Sequence, residues 1–260
     1  MRDKVSQLKE LLRAHAPLLV AYSGGVDSTC LLAVAHAALG DSAMGIIADS
    51  PSLPRRALSQ ALAVARSLGA AVEVIATREL ENQQYTSNPP NRCYFCKAEL
   101  FSRMNTLASA RGFSAIAYGE NADDPAHLRP GSIAAAQFAV LAPLKQAGLT
   151  KNEVRQLSRD YGLPTADDPA QPCLSSRIPH GTPVTRETLA LIERGEEIVR
   201  SLGFRVFRVR YLSPARARVQ IAPAEMHLLN GLDDKLCQGL RTAGFGAVEI
   251  DPEGYRSPLR

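Results

Sequence analysis

Through residues 1–163, short apolar runs alternate with stretches whose apolar positions recur at helical spacing. Leu8, Leu11 and Leu12 share a helical face, and Pro17 separates them from the strand-like run "LLVAY" at 18–22. "SGGVDS" (23–28) follows, and "TCLLAVAHAAL" (29–39) continues as a helix. "AMGIIAD" (43–49) predicts a second buried strand, "SLPRRALSQALAVARSLG" (52–69) a helix stopped at Gly69, and "AAVEVIAT" (70–77) a third strand. Residues 80–91 are mostly polar and end in Pro89, Pro90 and Asn91, a long excursion. "CKAELFSRMNTLASARG" (96–112) predicts a helix, "SAIAYGEN" (114–121) a fourth strand and "AVLAPL" (139–144) a fifth. In "TKNEVRQLSRDYG" Thr150 and Glu153 have the spacing of a capping box.

Apolar strands alternating with amphipathic helices predict an α/β fold, a parallel five-stranded sheet with helices on both faces. Ligands of such sheets bind beyond the carboxyl ends of the strands. The pattern changes at 164–184, "PTADDPAQPCLSSRIPHGTPV", which holds five prolines and no periodicity. We read it as a functional loop and a domain junction. A helix over "TRETLALIERGEEIVRSLG" and two strands, "FRVFRVRYL" and "ARARVQIA", predict a small α+β C-terminal domain. The expected division is 1–178 and 179–260.

The chain has 260 residues, 45% hydrophobic, with net charge +4. This suffices for one large core with an appendage. The mild basicity suits an anionic nucleotide and, without a long basic stripe, argues against nucleic acid. No apolar run approaches a membrane span, and the first residues do not read as a signal peptide, so the expectation is a cytoplasmic protein. Five cysteines, an odd number, then argue against a disulfide framework.

"LLVAYSGGVDS" carries the sharpest signal. A buried strand enters Ser23–Gly24–Gly25 and then a helix, which brings backbone N–H groups and the positive helix end to one place. That suits phosphate. Asp27 repels phosphate unless Mg²⁺ lies between them, so Asp27 is the expected Mg²⁺ ligand; the plainer alternative is an N-terminal cap. The loop lacks both the Walker A and the GxGxxG spacing.

"SGGVDS" after a buried strand resembles the signature of the PP-loop ATP pyrophosphatases, which split ATP into AMP and pyrophosphate and adenylate a substrate. The resemblance implies that Ser23, Gly24, Gly25, Asp27 and Ser28 hold pyrophosphate and its Mg²⁺. Three further stretches narrow it: "AYGENADDPAHLRPG" (117–131), "PCLSSRIP" (172–179) after "GLPTADDPA", and "FRVRY" (207–211), which sets Arg208 and Arg210 on one strand face. Together, through "GYRS" at 254–257, they are similar to the ATP-dependent sulfur transferases of nickel-pincer cofactor synthesis, the LarE family. The resemblance implies a pyridinium dicarboxylate mononucleotide substrate, thiocarboxylate products and a homo-oligomer. It makes Cys173 catalytic, with Asp27, and makes Ser176, Arg177, Arg208 and Arg210 substrate-binding. The alternative for the arginines is a solvated strand face, and for Cys173 an inert loop thiol. Arg177 and a nearby helix N-terminus are expected to favour the Cys173 thiolate. Roles for His127 and His180 stay open.

"PPNRCYFCK" (89–97) adds Cys93 and Cys96. One such pair is too few for a structural zinc site and misplaced for a thioredoxin-like motif. With Cys173 there are three thiols, which suits an iron–sulfur cluster, 4Fe–4S, with one iron open. Certain members of the resembled family, and tRNA-thiolating PP-loop enzymes, are similar in this. Two mechanisms follow: Cys173 is sacrificed, becoming dehydroalanine, or it ligates a cluster carrying replaceable sulfur. Cys30 and Cys237 read as structural. The rival functions are a tRNA-thiolating enzyme, a nucleotide-binding module without catalysis, and an amide-forming synthetase.

Overall fold

The computed structural model describes residues 1–125, 129–169, 171–212 and 214–255. His127, and Arg256 and Ser257 of "GYRS", each singled out in the sequence, lie outside them. The chain groups into two compact units, Met1–Asn82 with Asn91–Gln171, and Gln83–Pro90 with Pro172–Arg260. No helix among the described residues is long and apolar enough to cross a membrane.

The first unit runs α1 (Arg2–Ala14), β1 (Leu18–Ala21), α2 (Val26–Leu39), β2 (Ala43–Asp49), α3 (Arg55–Ser67) and β3 (Val72–Ala76). After the one-turn α4 (Gln83–Thr86), which belongs to the second unit, it resumes with α5 (Arg92–Arg111), β4 (Ala115–Tyr118), α6 (Pro130–Gln137), α7 (Pro143–Gln146) and α8 (Lys151–Asp160). Its sheet is parallel throughout, in the order β3-β2-β1-β4. Every residue of β1 is buried. Leu18 and Val20 join the core made with α1, α2, α3 and α8, whereas Leu19 and Ala21 join the core made with α5 and α6. Alternation along one strand therefore fills both faces, and α2 is apolar almost all round because α1 and α8 pack on it as well as the sheet.

The α/β class holds with four strands rather than five. At 139–144 the chain makes only a parallel bridge between Leu141 and Ala117. Ala139 has φ 52°, and Pro143 opens α7, so a left-handed residue on one side and a residue without N–H on the other leave no room for a strand. Helix α5 begins at Arg92, four positions ahead of the predicted start at 96, so both cysteines of "CYFC" sit in its opening turns.

The second unit contains α4, α9 (Arg186–Ser201), β5 (Phe207–Leu212), β6 (Arg216–Ile221), α10 (Asp233–Ala243) and β7 (Ala247–Ile250). β5 pairs antiparallel with β6, and β6 pairs parallel with β7. Phe207, Val209, Val219 and Ile221 pack with Val199 of α9 and Leu236 and Leu240 of α10. α10 and β7 carry no element assignment in the sequence reading.

The capping box of α8 is complete: the Thr150 hydroxyl accepts from the Glu153 N–H at 3.3 Å, and Glu153 accepts from the Thr150 N–H at 2.9 Å. Lys4 donates to the same carboxylate at 2.8 Å. These bonds, Lys4 first, hold the Glu153 carboxyl at about 2. A lowered carboxyl pKa stabilises the fold fully above the unfolded value of about 4.3 and is lost as pH falls toward the folded one. Thr150→Ala is expected to cost about 1 kcal/mol, a fall in Tm of roughly 2–4 °C, read by thermal melting at neutral pH. Acid melts of Glu153→Gln should lose less stability than wild type between the two pKa values.

Candidate active site

Ser23–Ser28 stands at the carboxyl end of β1, the strand flanked by β2 on one side and β4 on the other. In such sheets this is where chain order reverses and ligands bind. Gly24 takes φ 77°, and a Cβ there would lie 2.7 Å from the Ala61 Cβ. Gly25 caps α2. The Ser23 and Ser28 hydroxyls meet at 3.0 Å, the Ser23 N–H donates to Ser28 Oγ at 3.2 Å, and Ser28 Oγ donates to the Gly25 carbonyl at 3.1 Å. All five expected phosphate-loop residues thus share one turn. Gly119, not singled out in the sequence, ends β4 so close to this turn that a Cβ would lie 2.7 Å from the Ser28 nitrogen.

The Asp27 carboxylate has partners from distant chain positions. Lys151, the first residue of α8, donates to Oδ2 at 2.6 Å, and Asn121 Nδ2 donates to Oδ1 at 3.4 Å. The Lys151 N–H also donates to Asp123 Oδ2 at 2.8 Å. Sequence reasoning missed Lys151; its signal was its place beside the capping box. A Mg²⁺ that keeps its waters and phosphate ligands needs one or two carboxylates, and Asp27 at the phosphate loop fits that demand.

Cys93 is exposed and Cys96 partly buried on α5, three residues apart and so on neighbouring positions of one helix face. Lys97 follows directly. Its ammonium stands 4.8 Å from the Tyr118 ring centroid and 5.5 Å from that of Phe101. Burial lowers the Lys97 pKa, opposed by the nearby Cys96 and Cys93 thiols and the Glu120 and Asp124 carboxylates. Glu120 is itself buried. Burial opposes its ionisation, and hydrogen bonds from Tyr118, Ser132 (2.7 Å) and Lys145 outweigh it, so its pKa falls. Lys97 was also missed; it lies in the quoted "CYFCK".

In the second unit Cys173 precedes a short helical turn, Leu174–Arg177. Arg177 is only 3% exposed. Its guanidinium donates to the carbonyls of Pro172 (2.5 Å) and Cys173 (3.0 Å) and to Ser176 Oγ (3.0 Å), and it pairs with buried Glu196 at 2.8 Å. It therefore shapes the Cys173 loop through backbone carbonyls, with its charge countered by Glu196. Ser176 Oγ donates to the Cys173 carbonyl at 2.7 Å. Phe207 and Val209 are buried, while Arg208 and Arg210 occupy the alternate, partly buried face of β5. Arg210 reaches the Ser176 carbonyl at 2.9 Å, and Arg208 stacks on Tyr255 at 4.5 Å. Burial first, and the like charge of Arg177 second, lower the pKa of both. An anion placed among these guanidiniums would relieve that repulsion.

Cys93 and Cys96 belong to the first unit and Cys173 to the second. Within each unit no group of three or more His, Cys, Asp or Glu is gathered to hold a metal among the described residues. The donor chemistry, thiols only, fits an iron–sulfur cluster better than a hard cation. Cys30 is fully buried, and burial pushes its thiol up to about 12, in keeping with a core role. Cys237 is partly buried and His180 exposed.

No protein-family model matches the chain. It is 41% identical over 261 residues to the uncharacterized protein slr1717 of Synechocystis, covering 99% of this chain and 96% of that protein. It is 32% identical over 254 residues to the pyridinium-3,5-bisthiocarboxylic acid mononucleotide synthase of Lactiplantibacillus plantarum, covering 97% and 90%. The uncharacterized protein MJ0830 of Methanocaldococcus jannaschii is 25% identical over 252 residues. Likeness of this extent covers nearly the whole chain, and the chain belongs to the LarE family, that of the pyridinium-3,5-bisthiocarboxylic acid mononucleotide synthases.

Proposed function

We propose that this protein is an ATP-dependent sulfur transferase that makes thiocarboxylates on a pyridinium dicarboxylate mononucleotide in nickel-pincer cofactor synthesis. The observation that carries the reading is the phosphate loop at the end of β1, set within an end-to-end likeness to the Lactiplantibacillus synthase.

A carboxylate resists sulfur attack because it is anionic and its oxygen leaves badly. A substrate carboxylate oxygen attacks the α-phosphorus of ATP, and the bond to pyrophosphate breaks. Ser23, the Gly24–Gly25 backbone and Ser28 hold the departing pyrophosphate. Asp27, itself oriented by Lys151 and Asn121, would hold Mg²⁺, which when bound draws off phosphate charge and eases pyrophosphate departure. Arg208 and Arg210 seat the mononucleotide phosphate, and Ser176 lines the same loop. Sulfur then adds to the acyl carbon and AMP leaves with the bonding electrons.

Cys93, Cys96 and Cys173 would hold a 4Fe–4S cluster, which when bound supplies replaceable sulfur. Lys97 adjoins Cys96 on α5 and interacts electrostatically with both cysteines of the pair. In the sacrificial alternative, Cys173 Sγ itself bonds to the acyl carbon. A base then removes the Cys173 α-proton, the Cβ–Sγ bond breaks, and dehydroalanine remains. The protein acts as a homo-oligomer in this reading, as the family resemblance implies.

Asp27→Asn should slow substrate-dependent pyrophosphate release on the order of 100-fold, measured by a coupled phosphate assay. Pyrophosphate that appears only with tRNA, and not with the pyridinium substrate, would favour the tRNA-thiolating rival. Arg210→Ala should raise the KM for the mononucleotide about 10- to 100-fold and leave the KM for ATP unchanged. Anaerobic reconstitution should give a brown protein with stoichiometric iron and acid-labile sulfide, and Cys93→Ala should lose both. Colourless protein whose Cys173 peptide loses one sulfur on turnover would replace the cluster with the sacrificial route.

A further inference from the structure

The polar excursion after β3 has a definite place: residues 83–90 belong to the second unit, with the loop that carries Cys173. The backbone bonds run from the loop to the excursion. Val184 N–H donates to the Thr86 carbonyl at 2.8 Å, and Gly181 N–H donates to the Asn88 carbonyl at 3.0 Å. Asn88 is fully buried, and its side-chain amide donates to the carbonyls of Pro179 (2.7 Å) and Thr182 (2.9 Å). The buried Tyr85 hydroxyl meets Ser175 Oγ at 2.7 Å. Asn88 also has φ 57°, the left-handed conformation that asparagine tolerates better than most residues.

The chemistry of the loop explains the need. Outside the turn Leu174–Arg177, Pro172, Pro179 and Pro183 keep the loop from pairing in a ladder, so its carbonyls take donors from side chains. Asn88 supplies them on the C-terminal side of Cys173, and Tyr85 grips Ser175, two residues from it. Arg177 holds the carbonyls of Pro172 and Cys173 from the other side.

We propose that Asn88 and Tyr85 are positioning residues for sulfur transfer, which hold the loop in one conformation and so fix where the Cys173 thiol points. This rests on the reading that Cys173 serves sulfur transfer. Asn88→Gly keeps the left-handed backbone accessible and removes only the side-chain donors; Tyr85→Phe removes only the hydroxyl. The measurements are the iodoacetamide alkylation rate of Cys173 by peptide mass spectrometry, pyrophosphate release, thiocarboxylate formation and Tm. In Asn88→Gly the alkylation rate should change by about threefold or more, and thiocarboxylate formation should fall about 10- to 100-fold. Pyrophosphate release at saturating substrate and the KM for ATP should stay within about twofold. Tyr85→Phe should give the same pattern at about 2- to 10-fold and carries the test if Asn88→Gly does not fold. Unchanged alkylation and sulfur transfer in a folded variant, or a parallel fall in pyrophosphate release, would overturn the proposal. Thiocarboxylate formation that survives Cys173→Ser would instead overturn the role of Cys173, and the alkylation result would stand apart from it.

Discussion

The turn that leads into α2 is hemmed in on two sides, by the Ala61 methyl at Gly24 and by the chain at Gly119, and the Ser23–Ser28 loop depends on that crowding. A side chain at Gly24 would collide with Ala61 of α3, and one at Gly119 would collide with the Ser28 nitrogen. Two strand ends therefore meet one helix end with nothing between them. The consequence is chemical as well as steric. The turn bonds to itself through Ser23, Ser28 and the Gly25 carbonyl, and it opens α2, where the helix dipole has its positive end. Asp27 is tolerable there because Lys151 neutralises it.

A different constraint governs the Cys173 loop. It has three prolines and no ladder, so its conformation is imposed by side chains that reach its carbonyls. Arg177 does so from within, held by Glu196, which also accepts from the Val209 N–H at 3.3 Å and thereby ties the loop to α9 and β5. Such a pair is strongly destabilising when broken, because one buried charge is left alone, typically a loss of about 3–5 kcal/mol. Asn88 and Tyr85 complete the enclosure. Charge balance matters as well: Glu196 offsets one of three neighbouring guanidiniums, and the excess positive charge suits a phosphate.

Much of this is legible in the sequence alone. Strand positions, the phosphate loop, the capping box and the arginine face of β5 follow from local rules, since periodicity and turn chemistry involve residues within a few positions of one another. The fifth strand failed for an equally local reason that apolar composition hides: Ala139 adopts a left-handed conformation and Pro143 starts a helix. The parts played by Lys151, Glu196 and Asn88 were hidden for another reason. Each acts on a group that folding brings near, Lys151 on an aspartate 124 positions away and Asn88 on carbonyls about ninety positions away.

The sequence by itself determined which groups are available: a glycine-rich loop between a strand and a helix, a Cys-x-x-Cys pair, a cysteine in a proline-rich loop, and two arginines on one strand face. Its short-range order was enough, because each of those features is written in adjacent or alternating residues. Only the tertiary structure decided how each group is held. It turned Arg177 from an expected cationic neighbour of the thiol into a clamp on carbonyls, and gave Asp27 a lysine partner. It also made a polar excursion into a strap on the Cys173 loop. Those outcomes depend on which buried donors and acceptors must find each other, and that requirement arises only once the core has closed around them.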